Sequence, residues 1–246
     1  MSMGGSASNN GIRFVSDKYS AEFVLNKDGT YEIKTKKQPI DSKIRKTLKR
    51  IPIVKGLYSM FSISRWISIL LIFSVFMDFF PIEKSDSLIY HAIEILTYVI
   101  AIIALIYVGK KVVFNAKETR RFHGAEHKTI YAFENGMELT LENVRSCPRI
   151  AKRCGTNLVV FLLLFFAVGS FFTDYTSVVF VVAFVLGYEL FDLDNGDKIP
   201  IIKLFFKLGY WCQEKLFTAE PTDEQITASI AAVNKITELE KEVGTC

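Results

Sequence analysis

LVVFLLLFFAVGSFF, residues 158–172, runs without a single charged side chain. A second apolar run, 175–190, follows after Thr173-Asp174 and holds one acid, Glu189. Two more such stretches lie upstream, at 57–80 and 88–108, parted by Pro81 and the polar run 83–87. A helix that crosses a bilayer takes about 20 apolar residues at about 1.5 Å each, and the upstream pair reaches that length. The downstream pair is shorter, which suits small tilt or a re-entrant hairpin. Arg65, Asp78, His91 and Glu94 sit toward the ends of the upstream runs, where charges tend to reach the interface. These patterns predict a mainly α, multi-pass membrane protein with two transmembrane helical hairpins. The competing reading is a buried hairpin of a water-soluble domain, and the charge-free run 158–172 speaks against it.

Composition agrees with an uneven chain. Of 246 residues, 50% are hydrophobic and 23% charged. Only five charges fall in 66–109 and two in 154–191. Disorder, collagen, a coiled coil and a disulfide mini-protein are excluded on these figures. Residues 1–65 hold 13 Lys+Arg, 110–153 hold ten and 191–246 hold six, whereas the two short turns hold only Lys84. Cytoplasmic loops carry such an excess. The expected location is the bacterial cytoplasmic membrane, multi-pass, with both termini cytoplasmic. The expected partners are the lipid bilayer and a second copy in a homo-oligomer, with no nucleic acid, because the net charge of +4 reflects positive-inside loops. The four cysteines, Cys147, Cys154, Cys212 and Cys246, then lie in a reducing compartment, where structural disulfides are not expected.

The remaining pieces have patterns of their own. Residues 19–25 and 31–35 read as a small N-terminal β-hairpin around the Gly-containing turn 26–30. Residues 199–217 mix Lys203, Lys207 and Lys215 with Phe205, Phe206, Tyr210 and Trp211, the make-up of a helix lying in an interface plane. Thr222 and Gln225 form a capping box behind Pro221. Ile226, Ile230, Val233 and Thr237 then make one stripe of a last amphipathic helix. The expected organisation is 1–56, cytoplasmic hairpin and basic lead-in; 57–108, first transmembrane hairpin; 109–156, cytoplasmic loop; 157–190, second transmembrane hairpin; and 191–246, cytoplasmic helices.

Chemistry points to the middle loop. Two of the chain's three histidines stand in His123-Gly124-Ala125-Glu126-His127. On a helix, positions i and i+4 share a face, and two imidazoles so placed can chelate one metal. The H-x-x-E-H order is the inverse of the common zinc-helix motif. Glu134 lies on the same stripe two turns on, and Asn135-Gly136 ends the helix. A divalent metal, zinc by donor type, is expected on His123 and His127, with Glu134 or Cys154 completing the site and Glu126 as general base. Glu142, Arg153 and Glu189 are further polar candidates. The competing reading is a solvated helix face.

HGAEHKTI (123–130), LTLENVR (139–145) and RCGT (153–156) together resemble the YqhQ-like family. IPIVKG (51–56) and EPTD (220–223) through Ala231-Ala232 fit the same pattern, in order. The resemblance implies a bacterial membrane protein of unknown function, described as a predicted metal-dependent enzyme. It carries His123, Glu126, His127, Glu134, Glu142, Arg153, Cys154 and Glu189 over as matching positions. Two positions depart from it. An acidic residue near the N-terminus is here Asn10, and a histidine before Arg-Cys-Gly-Thr is here Ala151. The functional expectation is a metal-dependent enzyme, most plausibly a hydrolase, with its site at the cytoplasmic face. The alternative is a non-catalytic scaffold that has lost part of the polar site. Transport has little support, since 95–108 and 158–172 carry no charged residue.

Overall fold

Ile12 and Phe14 are buried while Arg13 between them is exposed, the period-2 pattern of a strand with one covered face. In the computed structural model, which describes residues 3–26, 30–39, 42–62, 65–79 and 116–244, this segment is the second of four strands. The strands are β1 Gly4–Ala7, β2 Gly11–Val15, β3 Tyr19–Leu25 and β4 Tyr31–Lys37. They form an antiparallel meander in the order β1-β2-β3-β4. The expected hairpin is the β3–β4 pair, in the register Tyr19↔Lys37 to Leu25↔Tyr31. Residues 27–29 of its turn lie outside the described residues. The edge strand β4 keeps Lys34, Lys36 and Lys37 on exposed positions, which blunts an unpaired edge against further strand pairing.

The helices, in chain order, are α1 Lys43–Leu48, α2 Val54–Ser62, α3 Arg65–Phe79, α4 Ala116–Glu134, α5 Leu141–Ser146, α6 Gly155–Gly169, α7 Thr176–Asp192, α8 Pro200–Cys212 and α9 Asp223–Gly244. A π turn, Gln213–Phe217, continues α8. The chain divides into two compact units. The first comprises Met1–Thr47, Ala116–Val160 and Asp194–Cys246; the second comprises Leu48–Asn115 and Phe161–Leu193.

In the first unit, the sheet packs on α4 and α9. Ile12, Phe14 and Ala21 meet Phe122 and Ala125 of α4 and Ala232, Val233 and Ile236 of α9 in one buried cluster. The capping box at the start of α9 is formed: Gln225 Oε1 accepts from the Thr222 backbone N–H at 3.0 Å, and Thr222 Oγ1 accepts from that of Gln225 at 3.4 Å. Its removal in Thr222→Ala should lower stability by about 0.5–2 kcal/mol, read as a shift in the urea midpoint. An unchanged midpoint would mean the box adds nothing to an already packed helix. The end of α4 is also as expected. Gly136 takes φ 65°, and Met137 N–H returns to Ala132 O at 2.9 Å, a left-handed helix stop.

In the second unit, α7 is tied at both ends. Asp78 Oδ2 accepts from the backbone N–H groups of Ser177 and Val178 at 2.8 and 3.2 Å, capping the start of α7. At the other end Glu189 Oε1 accepts from Ile53 N–H at 2.8 Å, while Lys55 pairs with Glu189 at 3.3 Å and Asp192 at 2.7 Å. Asp78 and Glu189, which the sequence placed near span ends, are thus helix ties.

The transmembrane expectation is corrected here. Among the described residues no helix is long and apolar enough to cross a membrane. The stretch 57–80 is divided between α2 and α3, and α3 has 15 residues. α6 and α7 have 15 and 17, which at about 1.5 Å per residue stops short of the ~30 Å hydrocarbon core. Two transmembrane hairpins, and with them a multi-pass location in the cytoplasmic membrane with both termini cytoplasmic, are overturned. A run of apolar residues does not reveal where a helix stops, and Gly169 to Asp174 belongs to the end of α6 and a turn rather than to a longer helix. The stretch 88–108, with His91 and Glu94, lies outside the described residues. What stands is a mainly helical chain with a small four-stranded antiparallel sheet.

Candidate metal centre

α4 carries the H-x-x-E-H sequence in the first unit. One turn of helix brings the His123 and His127 rings to 4.4 Å between centroids. Each ring is fixed from behind by a backbone carbonyl. His123 Nδ1 lies 3.0 Å from Phe217 O, and His127 Nδ1 lies 2.7 Å from Arg149 O. A carbonyl can only accept, so each Nδ1 donates and each Nε2 is left as the lone-pair nitrogen. Cys154 completes the group. Its Sγ is 3.5 Å from His123 Nε2, and the ligand atoms of His123, His127 and Cys154 all fall within 4.8 Å of one another.

The thiol reaches this point because its loop is clamped. Gln213, fully buried, grips the Ala151 backbone with both ends of its amide. Oε1 accepts from Ala151 N–H at 3.0 Å and Nε2 donates to Ala151 O at 3.0 Å. Asn157, in the first turn of α6, donates to Ala151 O at 3.2 Å and to Lys152 O at 2.7 Å. The same loop supplies the Arg149 carbonyl that orients His127. Gly124 lets a second segment approach, since a Cβ there would collide with the carbonyl oxygen of Ala219. That approach brings up the Phe217 carbonyl.

An ionic staple rooted on a buried lysine braces both segments. Lys128, 5% exposed, donates to Arg145 O and Cys147 O at 2.8 Å each and pairs with Glu220 at 2.8 Å. The other Glu220 oxygen takes Arg149 at 3.1 Å. Partial burial pushes the Glu220 carboxyl up, but Lys128 and Arg149 outweigh this and hold it below the ordinary carboxylate range. A depressed carboxylate stabilises the fold above its unfolded pKa, and that contribution fades as pH falls through the folded value. Thermal melts between pH 6 and pH 3 should therefore show Glu220→Gln losing less stability on acidification than the wild type. Parallel losses would remove Glu220 as the cause. Its half-exposed position makes the effect modest and salt-sensitive.

Burial pushes the Cys154 thiol up, yet the His127 imidazole and the Thr156 hydroxyl outweigh it and leave the thiol below its ordinary pKa. A thiol that ionises readily is the form that ligates metal. Glu126 behaves in the opposite way. Burial lifts its carboxyl to about 7, with nearby His123 pulling it down.

The expected residues divide. His123, His127 and Cys154 come together. Glu126 is on the adjoining flank of α4, its carboxyl against β1, where a Cβ at Gly5 would lie 2.5 Å from Oε1. Glu134 is exposed at the end of α4, about 10 Å along the axis from His127 at seven residues' rise. Glu142 is exposed in the first turn of α5. Arg153 is exposed and pairs with Asp194 at 3.9 Å. Glu189 serves the second unit, as above. Asn10 lies in the β1–β2 turn, where its side chain donates to Leu25 O at 3.4 Å.

The family pattern described as "Protein of unknown function (DUF1385)" matches residues 10–239. The chain belongs to this family. The chain is also 34% identical over 137 residues to the uncharacterized protein YqhQ of Bacillus subtilis (strain 168), an alignment covering 50% of this chain and 42% of that protein. The chain thus matches less than half the length of this relative. No solved structure matches it. The resemblance drawn from the motifs is borne out at the level of a YqhQ-like family of unknown function.

Sequence reasoning missed the residues that build the site from behind. Gln213 and Asn157 are amides at the edges of apolar runs, and most buried amide groups find partners. Their positions hinted at a role, but nothing along the chain linked them to Ala151. The carbonyls of Phe217 and Arg149 have no sequence signal at all.

Proposed function

We propose that this chain is a metal-dependent enzyme of the hydrolase type, holding a divalent metal on His123, His127 and Cys154. The observation that carries the reading is the pair of Nδ1-to-carbonyl bonds, from His123 to Phe217 and from His127 to Arg149. Backbone carbonyls or carboxylates behind ligating imidazoles are the usual way to fix tautomer and ring direction at a metal. Two imidazole nitrogens and one thiolate are a borderline-soft donor set that fits zinc. Among the described residues no further His, Cys, Asp or Glu joins the group. Three protein ligands with one position left over is the pattern of catalytic rather than structural zinc.

When bound, such a metal supplies Lewis acidity and lowers the pKa of water to about 7. The protein's part is positioning. The Phe217 and Arg149 carbonyls hold both rings ready, and the Gln213 clamp sets the height of Cys154. Glu126 keeps a proton-exchanging carboxyl beside His123 and shielded from bulk water by β1.

Metal analysis of the full-length chain tests this. About one zinc per chain is expected for a single three-ligand site, falling to background in His123→Ala/His127→Ala. Replacement by Co²⁺ should give a thiolate-to-metal charge-transfer band that Cys154→Ser abolishes. Metal content no higher than in the double variant would end the reading.

A further inference from the structure

The outward ridge of α8 is apolar and basic at once. Ile201, Leu204, Leu208 and Trp211 recur at helical spacing on one face, and they are 76%, 64%, 50% and 53% exposed. The opposite side of the helix is closed, with Phe206 and Gly209 buried. Leu216 and Phe217 of the π turn extend the ridge at 50% and 48% exposure. Lys203 and Lys207 line one side of it on exposed positions. No acidic residue occurs from 198 to 213, and among the described residues neither lysine has an ion-pair partner. The nearest acids in sequence are engaged: Asp197 with Lys152 at 3.2 Å and Glu214 with Lys215 at 3.1 Å.

Large aliphatic side chains and a tryptophan do not stay in water along four turns without a purpose. Two kinds of surface could cover them. A protein groove would match the apolar ridge but would also have to supply acids along its lysine-bearing side. An anionic lipid surface matches both features. Acyl chains take the apolar ridge, headgroups pair with the lysines, and an indole prefers the boundary between them. We infer that α8 and the π turn form a peripheral docking surface that lies flat on an anionic lipid membrane, without crossing it. Phe217 belongs to both places, since its side chain ends the ridge and its carbonyl orients His123. The docking surface is therefore continuous with the candidate metal centre, although the inference does not depend on a metal being bound.

Trp211 is a local reporter, because Trp66 is the only other tryptophan. In the full-length Trp66→Phe chain, vesicles of phosphatidylglycerol and phosphatidylcholine should shift Trp211 emission to the blue. Brominated lipid should quench it, and pure phosphatidylcholine should do much less. Lys203→Gln/Lys207→Gln should weaken partitioning into the anionic vesicles by about 25-fold, at about fivefold per lysine near a charged surface. Three outcomes overturn the inference. Vesicles can be bound while Trp211 emission stays unchanged. The emission can shift with protein concentration alone, which is contact between copies. Or it can be blue and shielded from acrylamide before vesicles are added, which means the chain covers its own ridge.

Discussion

Gly124→Ala is expected to destabilise the chain by about 1–3 kcal/mol and to loosen the candidate metal centre. In an exposed helix interior the same change stabilises by about 1 kcal/mol, so the sign is diagnostic. Here the new Cβ points at the carbonyl oxygen of Ala219, with Pro221 Cδ 3.5 Å away behind it. That carbonyl cannot simply turn aside. Ala219 N–H is bonded to Arg120 O at 2.9 Å, and Arg120 in turn donates to the carbonyls of Lys215 and Thr218 at 2.9 and 3.2 Å. The whole 217–221 segment has to lift from α4, which withdraws the Phe217 carbonyl from His123 and strains the Lys128–Glu220 pair. Urea unfolding with an unchanged slope and a lower midpoint is the expected reading. A midpoint equal to or above that of the wild type would show that the segment yields freely, and that Gly124 is not what permits its approach.

Gln213→Ala is expected to cost about 2–4 kcal/mol and to weaken zinc binding about 10- to 100-fold. The amide side chain is fully buried and bonds both the N–H and the C=O of one residue, Ala151. Its removal leaves the Ala151 N–H without that partner, while Ala151 O keeps Asn157 at 3.2 Å. An unsatisfied buried donor costs about 1–3 kcal/mol, and the vacated volume adds to that. The effect on metal follows from what the loop carries, namely Arg149 O behind His127 and the Cys154 thiol. Gln213→Met separates the two contributions. It restores most of the volume but not the hydrogen bonds, so it should recover part of the stability and little of the affinity. If Gln213→Ala binds zinc as tightly as the wild type does, the clamp has no role in placing Cys154.

These two residues illustrate what was legible along the chain. The H-x-x-E-H spacing, the helix stop at Asn135-Gly136, the Thr222–Gln225 box and the β3–β4 hairpin are all local. Each is written within one or two turns, and each is found where the spacing put it. β1 went unread because Gly-Gly-Ser-Ala has no apolar alternation. β2 could have been read from Ile12 and Phe14, although five residues make a short signal. Glu134 shares a helix stripe with His127, but a stripe constrains the face and not the distance along the axis. Cys154 could only be a candidate, since nothing local closes the 26 residues between it and His127.

The apolar runs show the same division. The apolar runs by themselves placed one helix within 158–172 and another within 175–190, parted near Asp174, and helices α6 and α7 follow. The start of α7 is capped by the Asp78 side chain, which takes the N–H groups of Ser177 and Val178 from 99 and 100 residues away. Tertiary contact therefore fixes where α7 begins, and among the described residues no helix is long and apolar enough to cross a membrane. In the first unit the sequence by itself determined two imidazoles on one face of α4. Only the tertiary structure decided which nitrogens they offer and which third donor, the Cys154 thiol, lies beside them, because a tautomer is chosen by the carbonyl behind the ring. Those carbonyls, at Phe217 and Arg149, come from peptide units whose positions no side-chain pattern records.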